Sequence, residues 1–451
     1  MKKKILLLSI TMLFAGNCAI QAQNEKDEIT VTDAKGKKEV IELPEAMTVS
    51  SDSLMKLYYA KRYLAEDSNC NMPDVNPVFS KEVYINRLSR IPTVIEMPYN
   101  EVVQKFIDRY TGKVRHSVSY MLGAQNFYMP IFEQALEAYG MPLELKYLPV
   151  IESALNPNAV SRVGATGLWQ FMIKTSKRYD LNVNTLIDER RDPIKASYAA
   201  AHYLSDLYKQ YGDWNLVIAA YNCGPDQISK AIRRSKGEKD YWKIYPYLPK
   251  ETRGYVPAFI AANYIMTYYC EHNICPMKSK LPEKTDTIMV GRNVNFAQIS
   301  AVCGISLDEL RTLNPQYRRD IVNGSTVLSA IRMPQEYINK FIDNEDSVYN
   351  YKSNEIQEKR TEVEVNDEIP EVKSNQSSYS SNRHGNRHSN KSSRSRHSSH
   401  KNRHKSKSVT VKEGQTLSEL AEKHHTTVKK LKKLNNISGS SIRSGKKLKI
   451  K

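Results

Sequence analysis

Tryptophan and phenylalanine are scarce: the 451 residues hold 3 Trp and 9 Phe against 28 Tyr. The aromatic content therefore leans towards side chains that pack and hydrogen-bond at once, as on wet aromatic surfaces. Cysteine is also scarce, with 6 residues, and no Cys-x-x-Cys pair or histidine spacing suggests a metal. No metal and no cofactor is implied. Long apolar runs are missing after the N-terminus. The stretch from Tyr255 to Cys270 comes nearest, but Pro257, Asn263 and several tyrosines interrupt it. It reads as a buried helix of a soluble domain rather than a bilayer span.

What is present begins with Lys2-Lys3-Lys4 and the apolar run Ile5 to Phe14, followed by small and polar residues up to Ala22. This is the layout of a secretory signal peptide, residues 1–22, too short to span a membrane. Cleavage after Ala22 is expected, with lipid attachment at Cys18 as the alternative. The protein is thus expected to be exported, to the periplasm or cell envelope. Five cysteines then remain, an odd number that excludes a fully paired monomer. Cys270 and Cys275 could pair if the chain turns at Asn273, or could be isolated buried thiols.

Charge is divided unevenly. From Ser381 to Lys451 there are 20 Lys or Arg and 3 Glu, so nearly all of the net +18 lies in the tail. Length suggests two or three domains. Residues 23–76 are polar and mixed in charge, with one helical candidate at Asp52 to Ala65. Residues 77–280 are mostly helical in pattern: Val102, Phe106, Ile107 and Tyr110 recur at helical spacing, as do Leu145, Leu148 and Ile151. Helices are also expected over Ile194 to Tyr211, Trp214 to Tyr221 and Val256 to Tyr269. Residues 286–337 change character, with β-like runs at Thr287 to Val290 and Ser325 to Leu328 around two short helical patterns, Phe296 to Ala301 and Leu307 to Leu313. Residues 345–407, acidic and then rich in Ser, His, Arg and Lys, cannot form a core and read as a disordered linker. Residues 408–451 regain order as a β-α-α-β unit. Leu417, Leu420 and Ala421 lie on one helix face, Val428, Leu431 and Leu434 on the other, and Leu448 and Ile450 in the last strand.

The chemistry concentrates between 148 and 172. An apolar helical stripe delivers Glu152, a turn-forming run follows, and a glycine-rich segment carries Trp169, Gln170 and Met172. A buried carboxyl keeps its proton to higher pH and can donate it to a glycosidic oxygen. A solvent-exposed helix-end glutamate is the plainer reading of the same residue. Between Glu152 and Asp180 there is no second Asp or Glu. A retaining glycosidase needs one as nucleophile and an inverting one as base for water.

Three segments, Glu152-Ser-Ala-Leu-Asn-Pro-Asn-Ala-Val-Ser161, Gly164-Ala-Thr-Gly-Leu-Trp-Gln-Phe-Met172 and Ala219-Ala-Tyr-Asn-Cys-Gly-Pro225, resemble the motifs of the soluble lytic transglycosylase catalytic domain. Leu145-Lys-Tyr-Leu-Pro-Val-Ile-Glu-Ser153 and Leu248-Pro-Lys-Glu-Thr-Arg-Gly-Tyr-Val-Pro257 resemble its membrane-bound D branch. The resemblance implies a mainly α, lysozyme-like fold. Glu152 matches its single acid/base. Ser161, Gln170, Met172, Tyr221 and Asn222 match substrate-binding residues, with Glu251 and Tyr255 on the far wall. Core packing is the alternative for Met172 and Tyr255, and the better reading of Trp169. Cys223 stands where alanine or serine is usual.

The tail segments Val409-Thr-Val-Lys-Glu-Gly-Gln-Thr-Leu-Ser-Glu-Leu-Ala421, Leu431-Lys-Lys-Leu-Asn-Asn-Ile437 and Gly445-Lys-Lys-Leu-Lys-Ile450 resemble a LysM domain. This implies a glycan groove lined by Gly414, Thr416, Leu417, Asn435 and Ile437, with Gln415 in place of the usual aspartate. Residues 286–337, with Leu307-Asp-Glu-Leu-Arg-Thr-Leu-Asn-Pro315, resemble a degenerate LysM-like unit. The expected partner is the peptidoglycan glycan strand. The basic tail adds possible peripheral attraction to anionic wall or membrane surfaces. Nucleic acid is not expected, since no aromatics interleave the basic run. The expected activity is cleavage of the MurNAc-GlcNAc bond with 1,6-anhydro ends. A hydrolytic muramidase and a non-catalytic wall-binding protein are the alternatives.

Overall fold

Helix ends in the central region are written into the sequence. Asp192-Pro193 opens one helix: the Asp192 carboxylate accepts from the N–H groups of Ile194 and Lys195, and Pro193 supplies the fixed φ of the first turn. Gly212, left-handed at φ 65°, closes it. Asp213 then caps the next helix through the Leu216 N–H. The computed structural model describes residues 28–32, 38–48, 64–65, 67–279, 281–282 and 284–356. In the tail it describes 408–410, 420–421, 424, 428–435, 437 and 447–449. The expected signal peptide with Cys18, and most of the expected linker, lie outside these residues.

The helical domain comprises α1 (Lys81–Arg90), α2 (Glu101–Thr111), α3 (Arg115–Ala138), α4 (Leu148–Ser153), α5 (Ile173–Arg178), α6 (Pro193–Tyr211), α7 (Trp214–Cys223), α8 (Pro225–Arg234), α9 (Tyr241–Ile244) and α10 (Lys250–Tyr268). Buried almost all round, α10 packs on α2 and α7. Phe106, Phe132, Phe259 and Tyr264 are fully buried in this core. Each such side chain contributes about 1.5–3 kcal/mol of transfer free energy.

Residues expected to be a polar lead-in contain a hairpin. Strands β1 (Glu28–Thr32) and β2 (Lys38–Glu42) pair antiparallel, and Ile29 faces Ile41 across the ladder. Gly254 of α10 allows β2 to lie close, since a Cβ there would come within 2.8 Å of Glu42 O. Arg253 pairs with Glu39, and Arg109 donates to Met47 O at 2.8 Å. The helical candidate at 52–65 is corrected at its end: Leu64–Ala65 is a strand, β3, paired with β4 (Lys278–Ser279), and 52–63 lie outside the described residues.

The cysteine expectation is also corrected. The chain does turn at Asn273, left-handed at φ 54°, but Cys275 forms its disulfide with Cys70, and Cys270 is an exposed free thiol. The same knot holds Arg115, which donates to His272 O at 2.7 Å and to Asp74 at 2.6 Å, and Asn273, which donates to Val75 O at 2.9 Å.

A second core follows in β5 (Thr285–Val290), β6 (Asn293–Asn295), α11 (Phe296–Cys303), α12 (Leu307–Leu313), β7 (Ile321–Asn323), β8 (Ser329–Pro334), α13 (Gln335–Asp343) and α14 (Glu345–Asn350). β5 pairs with β8, and β6 with β7, both antiparallel. The strand expected at 325–328 is displaced: Val327 and Leu328 are exposed, while Ile331 and Met333 of β8 alternate into the core. Residues 345–350, expected to begin the linker, form α14, which buries Val348 and Tyr349 beside Phe341.

In the tail, β9 (Ser408–Thr410) pairs with β10 (Lys447–Lys449), and α15 spans Val428–Asn435. Leu420, Ala421, Leu431 and Leu448 form its core; Leu434, expected inward, is partly exposed.

Candidate active site

Pro149 opens α4, and Leu148, Val150 and Ile151 are buried, so the short helix is fixed on the core by three of its faces. Glu152 is the residue left half-exposed. Ala154 and Leu155 both adopt left-handed backbone (φ 50° and 60°), which ends the helix one residue after Glu152 and reverses the chain. Ser153 Oγ lies 2.9 Å from Leu168 O, tying α4 to the glycine-rich loop.

That loop is held by its own backbone. Thr166 and Phe171 exchange two hydrogen bonds of 3.1 Å, and the Ser161 N–H donates to Ala165 O at 2.8 Å. The Ala165 N–H returns a bond to Ser161 Oγ at 3.0 Å. Gln170, at φ 49°, is fastened by its amide to Gly167 O at 2.9 Å. Gly167 is required twice over: its φ is +90°, and a Cβ would fall 1.8 Å from Arg190 O. Trp169 is fully buried, donates to Ser197 Oγ at 2.9 Å and meets Phe132 edge-on. It packs rather than facing the cleft.

The opposite wall comes from α7 and α10. Tyr221 OH donates to Trp169 O at 2.8 Å, and Thr252 Oγ1 donates to the Asn222 side-chain oxygen at 2.8 Å. Tyr255, fully buried, donates its hydroxyl to Glu152 Oε1. Burial, and then the negative charge of Glu152, push the phenols of Tyr221 and Tyr255 well above their ordinary range. Both stay neutral donors, and Tyr255 orients the carboxyl that it meets.

Glu152, Ser161, Gln170, Met172, Tyr221, Asn222, Glu251 and Tyr255 all line one cleft of about 380 Å³. The cleft offers a carboxyl, Glu152, oriented by a phenol, between amide and hydroxyl walls. Glu251 is the other acid on the lining. Pro44 and Tyr203 also line the cleft and were not expected there. Pro44 follows the overlooked hairpin, whose period-2 alternation of Ile29 and Val31 was the available signal. Cys223 reaches the lining too, but burial pushes its thiol up to about 11, so it stays a protonated thiol. Among the described residues, no group of three or more His, Cys, Asp or Glu could hold a metal ion.

In the tail, Gly414, Thr416 and Leu417 lie outside the described residues. The Asn435 amide donates to Leu431 O and Lys449 O, each at 2.8 Å, and its oxygen accepts from the Lys449 N–H at 2.7 Å. It clasps helix to strand, a use inside the module rather than in a groove. Ile437 packs partly against the small core.

Three segments of the chain match known families. Residues 129–244 match the Transglycosylase SLT domain, 284–350 match a family described as lytic transglycosylase MltD, LysM-like domain, and 409–451 match the LysM domain. Glu251 and Tyr255 lie past the end of the first match. Membrane-bound lytic murein transglycosylase D of Escherichia coli K12 is 26% identical over 367 residues, covering 78% of this chain and 70% of that protein. The soluble lytic murein transglycosylase of the same strain is 32% identical over 124 residues, covering 26% of this chain and 19% of its own length. The 1.65 Å crystal structure of the 70 kDa soluble lytic transglycosylase from E. coli superposes at a TM-score of 0.28 with 27% identity, over 33% of this chain and 25% of that one.

Proposed function

We propose that this MltD-like lytic transglycosylase, an SLT domain followed by an MltD-type LysM-like unit and a C-terminal LysM domain, cuts the MurNAc-β-1,4-GlcNAc bond of peptidoglycan and leaves 1,6-anhydroMurNAc ends. The observation that carries the reading is the setting of Glu152. It stands next to last in a buried helix, opens onto the cleft, and takes a hydrogen bond from the neutral Tyr255 hydroxyl.

In this reading protonated Glu152 gives its proton to the leaving glycosidic oxygen. The resulting carboxylate takes the proton of the muramyl 6-hydroxyl, whose oxygen closes on C1. One group serves as acid and then base, water is not consumed, and no second carboxylate is needed. Tyr255 and Tyr221 hold the carboxyl and the loop. Ser161, Gln170, Met172 and Asn222 are assigned to sugar contacts. The reaction belongs to the cell envelope, with the chain exported by residues 1–22. Among the described residues no helix is long and apolar enough to cross a membrane.

Glu251 gives a second reading some footing, because a carboxylate on the same cleft could activate water, as in a hydrolytic muramidase. Mass spectrometry of digested peptidoglycan separates the two. The transglycosylase reading expects anhydromuropeptides as the main product, from the native chain and from Glu251→Gln alike. Water-opened reducing ends as the main product would refute it.

A further inference from the structure

The LysM-like unit and the helical domain meet along a short seam. The Asp188 N–H donates to Gln316 O at 2.8 Å, the Arg318 N–H donates to Leu186 O at 2.9 Å, and Ile187 pairs with Tyr317 in an antiparallel bridge. In this seam lies the Asp188 carboxylate, with no exposed surface. Arg190 grips it with two nitrogens, each at 2.9 Å, and Arg318 adds Nη2 from the LysM-like unit at 2.6 Å. Arg191 stands at 3.8 Å. Burial alone would raise the Asp188 carboxyl, but Arg190 and Arg318 hold it below its ordinary value, so it is an anion.

Arg190 has one more nitrogen, and it points at the active-site loop. Nη1 donates to Gly164 O at 3.0 Å and to Phe171 O at 3.1 Å. Those two carbonyls bracket the turn that carries Gln170, and Gly164 adjoins the Ala165 that bonds Ser161. A continuous set of charged contacts therefore runs from Arg318 through Asp188 and Arg190 to the cleft wall.

A comparison within the chain points the same way. Asn314 donates to Leu310 O at 2.9 Å and to Arg332 O at 2.8 Å, and accepts from the Arg332 N–H at 2.8 Å. Asn435 makes the same three bonds in the tail, to Leu431 O, Lys449 O and the Lys449 N–H. With these clasps aligned, Gln316 takes the place of Ile437, two residues beyond the asparagine. In the tail that position is assigned to the glycan groove. In the LysM-like unit it is taken up by the helical domain.

We propose that the LysM-like unit serves as a positioning element of the catalytic domain rather than as a second glycan binder, with Arg318, acting through Asp188 and Arg190, fixing the 164–171 loop. Without Arg318 the buried Asp188 loses one counter-cation, Arg190 is drawn towards it, and the grip on Gly164 O and Phe171 O slackens. Arg318 touches no substrate in this scheme.

The test compares the full chain with Arg318→Ala and Arg318→Lys. Amide hydrogen exchange over residues 159–172 is read by mass spectrometry, beside kcat and KM on soluble peptidoglycan fragments and the thermal midpoint. Arg318→Ala should speed exchange in that segment, and lower kcat by about ten- to a hundredfold with KM changed less than about threefold. The midpoint should shift by only a few degrees, and Arg318→Lys should recover much of both losses. Unchanged exchange in 159–172, or a kcat within about twofold of the native chain, would overturn the proposal. The kinetic arm rests on the peptidoglycan reading and the exchange arm does not. A native chain that fails to cleave peptidoglycan would refute that reading and leave exchange to decide this one.

Discussion

Replacing Glu152 by Gln isolates the proton from everything else at the site. The amide keeps the length of the side chain and an oxygen that can accept the Tyr255 hydroxyl bond. Glu152 is half-exposed, and the amide preserves its shape, so folding stability should change by less than about 1 kcal/mol. Lost instead, in the proposed reaction, is the group that would both donate and accept the transferred proton. That function is worth roughly 10²- to 10⁴-fold in rate, or about 3–5 kcal/mol of barrier. Tyr255→Phe gives the internal scale: it removes one hydrogen bond to a charged group, worth about 1.5–3 kcal/mol, and leaves the acid in place. Because the hydroxyl acts through Glu152, its loss should cost little once Glu152 is already Gln, so the double variant should be no slower than Glu152→Gln. The assay is release of soluble muropeptides from purified peptidoglycan, followed by chromatography, with circular dichroism as the folding control. Residual activity of Glu152→Gln above about a hundredth of native would refute the assignment and move the acid elsewhere. Additive losses in the double variant would refute the route through Glu152.

Deleting Ser381 to Lys451 should leave cleavage of short soluble fragments nearly unchanged while weakening action on intact wall, because a tethered binder raises local concentration at an insoluble substrate. The isolated tail should bind peptidoglycan less at about 0.5 M salt but not lose it, since screening acts on charge and spares a sugar groove; complete loss in a pull-down would remove the groove assignment of Gly414, Thr416 and Leu417. The Cys70–Cys275 disulfide spans 205 residues of sequence, so the paired Cys70→Ser and Cys275→Ser chain should lose about 2–5 kcal/mol in denaturant unfolding, a loss that added reductant should reproduce in the native chain. His272 is held neutral, its value lowered from 6.5 to about 4 by burial and then by Arg87 and Arg115, so the unfolded chain binds the extra proton between those pH values. Stability present above pH 6.5 should therefore drain away as pH falls towards 4, by up to about 3 kcal/mol from this group, and His272→Gln should flatten that part of the profile in denaturant midpoints.

Local signals were legible where a side chain and the backbone it serves are neighbours. The limits of α6 and α7 could be read from Asp192-Pro193 and Gly212-Asp213, because caps act over three residues. The strand error at 325–328 has a specific cause. Thr326, Val327 and Leu328 are a β-like run, but the alternation that buries Ile331 and Met333 and leaves Arg332 between them only partly buried begins at Ser329. Propensity was given weight that belonged to periodicity. The acidic start of α14 misled in the opposite sense: Glu345 and Asp346 looked like linker, yet acids are favoured in the first turn of a helix. The pairing of Cys70 with Cys275 was beyond reach, since it depends on Arg115, Asp74 and Asn273 drawing two distant segments together.

The same distinction explains which parts of the site were readable. Glu152, Gln170 and Tyr221 stand in contiguous motifs whose chemistry and turn geometry are local. Pro44 reaches the cleft because β2 lies against the Cβ-free face of Gly254, and Arg318 meets the buried Asp188, whose partner Arg190 contacts the loop. Neither residue carries a motif, and each depends on a contact made across more than a hundred residues of chain. Groups that perform the chemistry must carry particular atoms and so leave a mark in sequence. Groups that hold them need only reach a carbonyl or fill a wall, which many residue types at many positions could do. A search for further determinants of glycan choice should therefore begin at the docked hairpin and the Asp188 seam, where three-dimensional contact rather than motif ties a residue to Glu152.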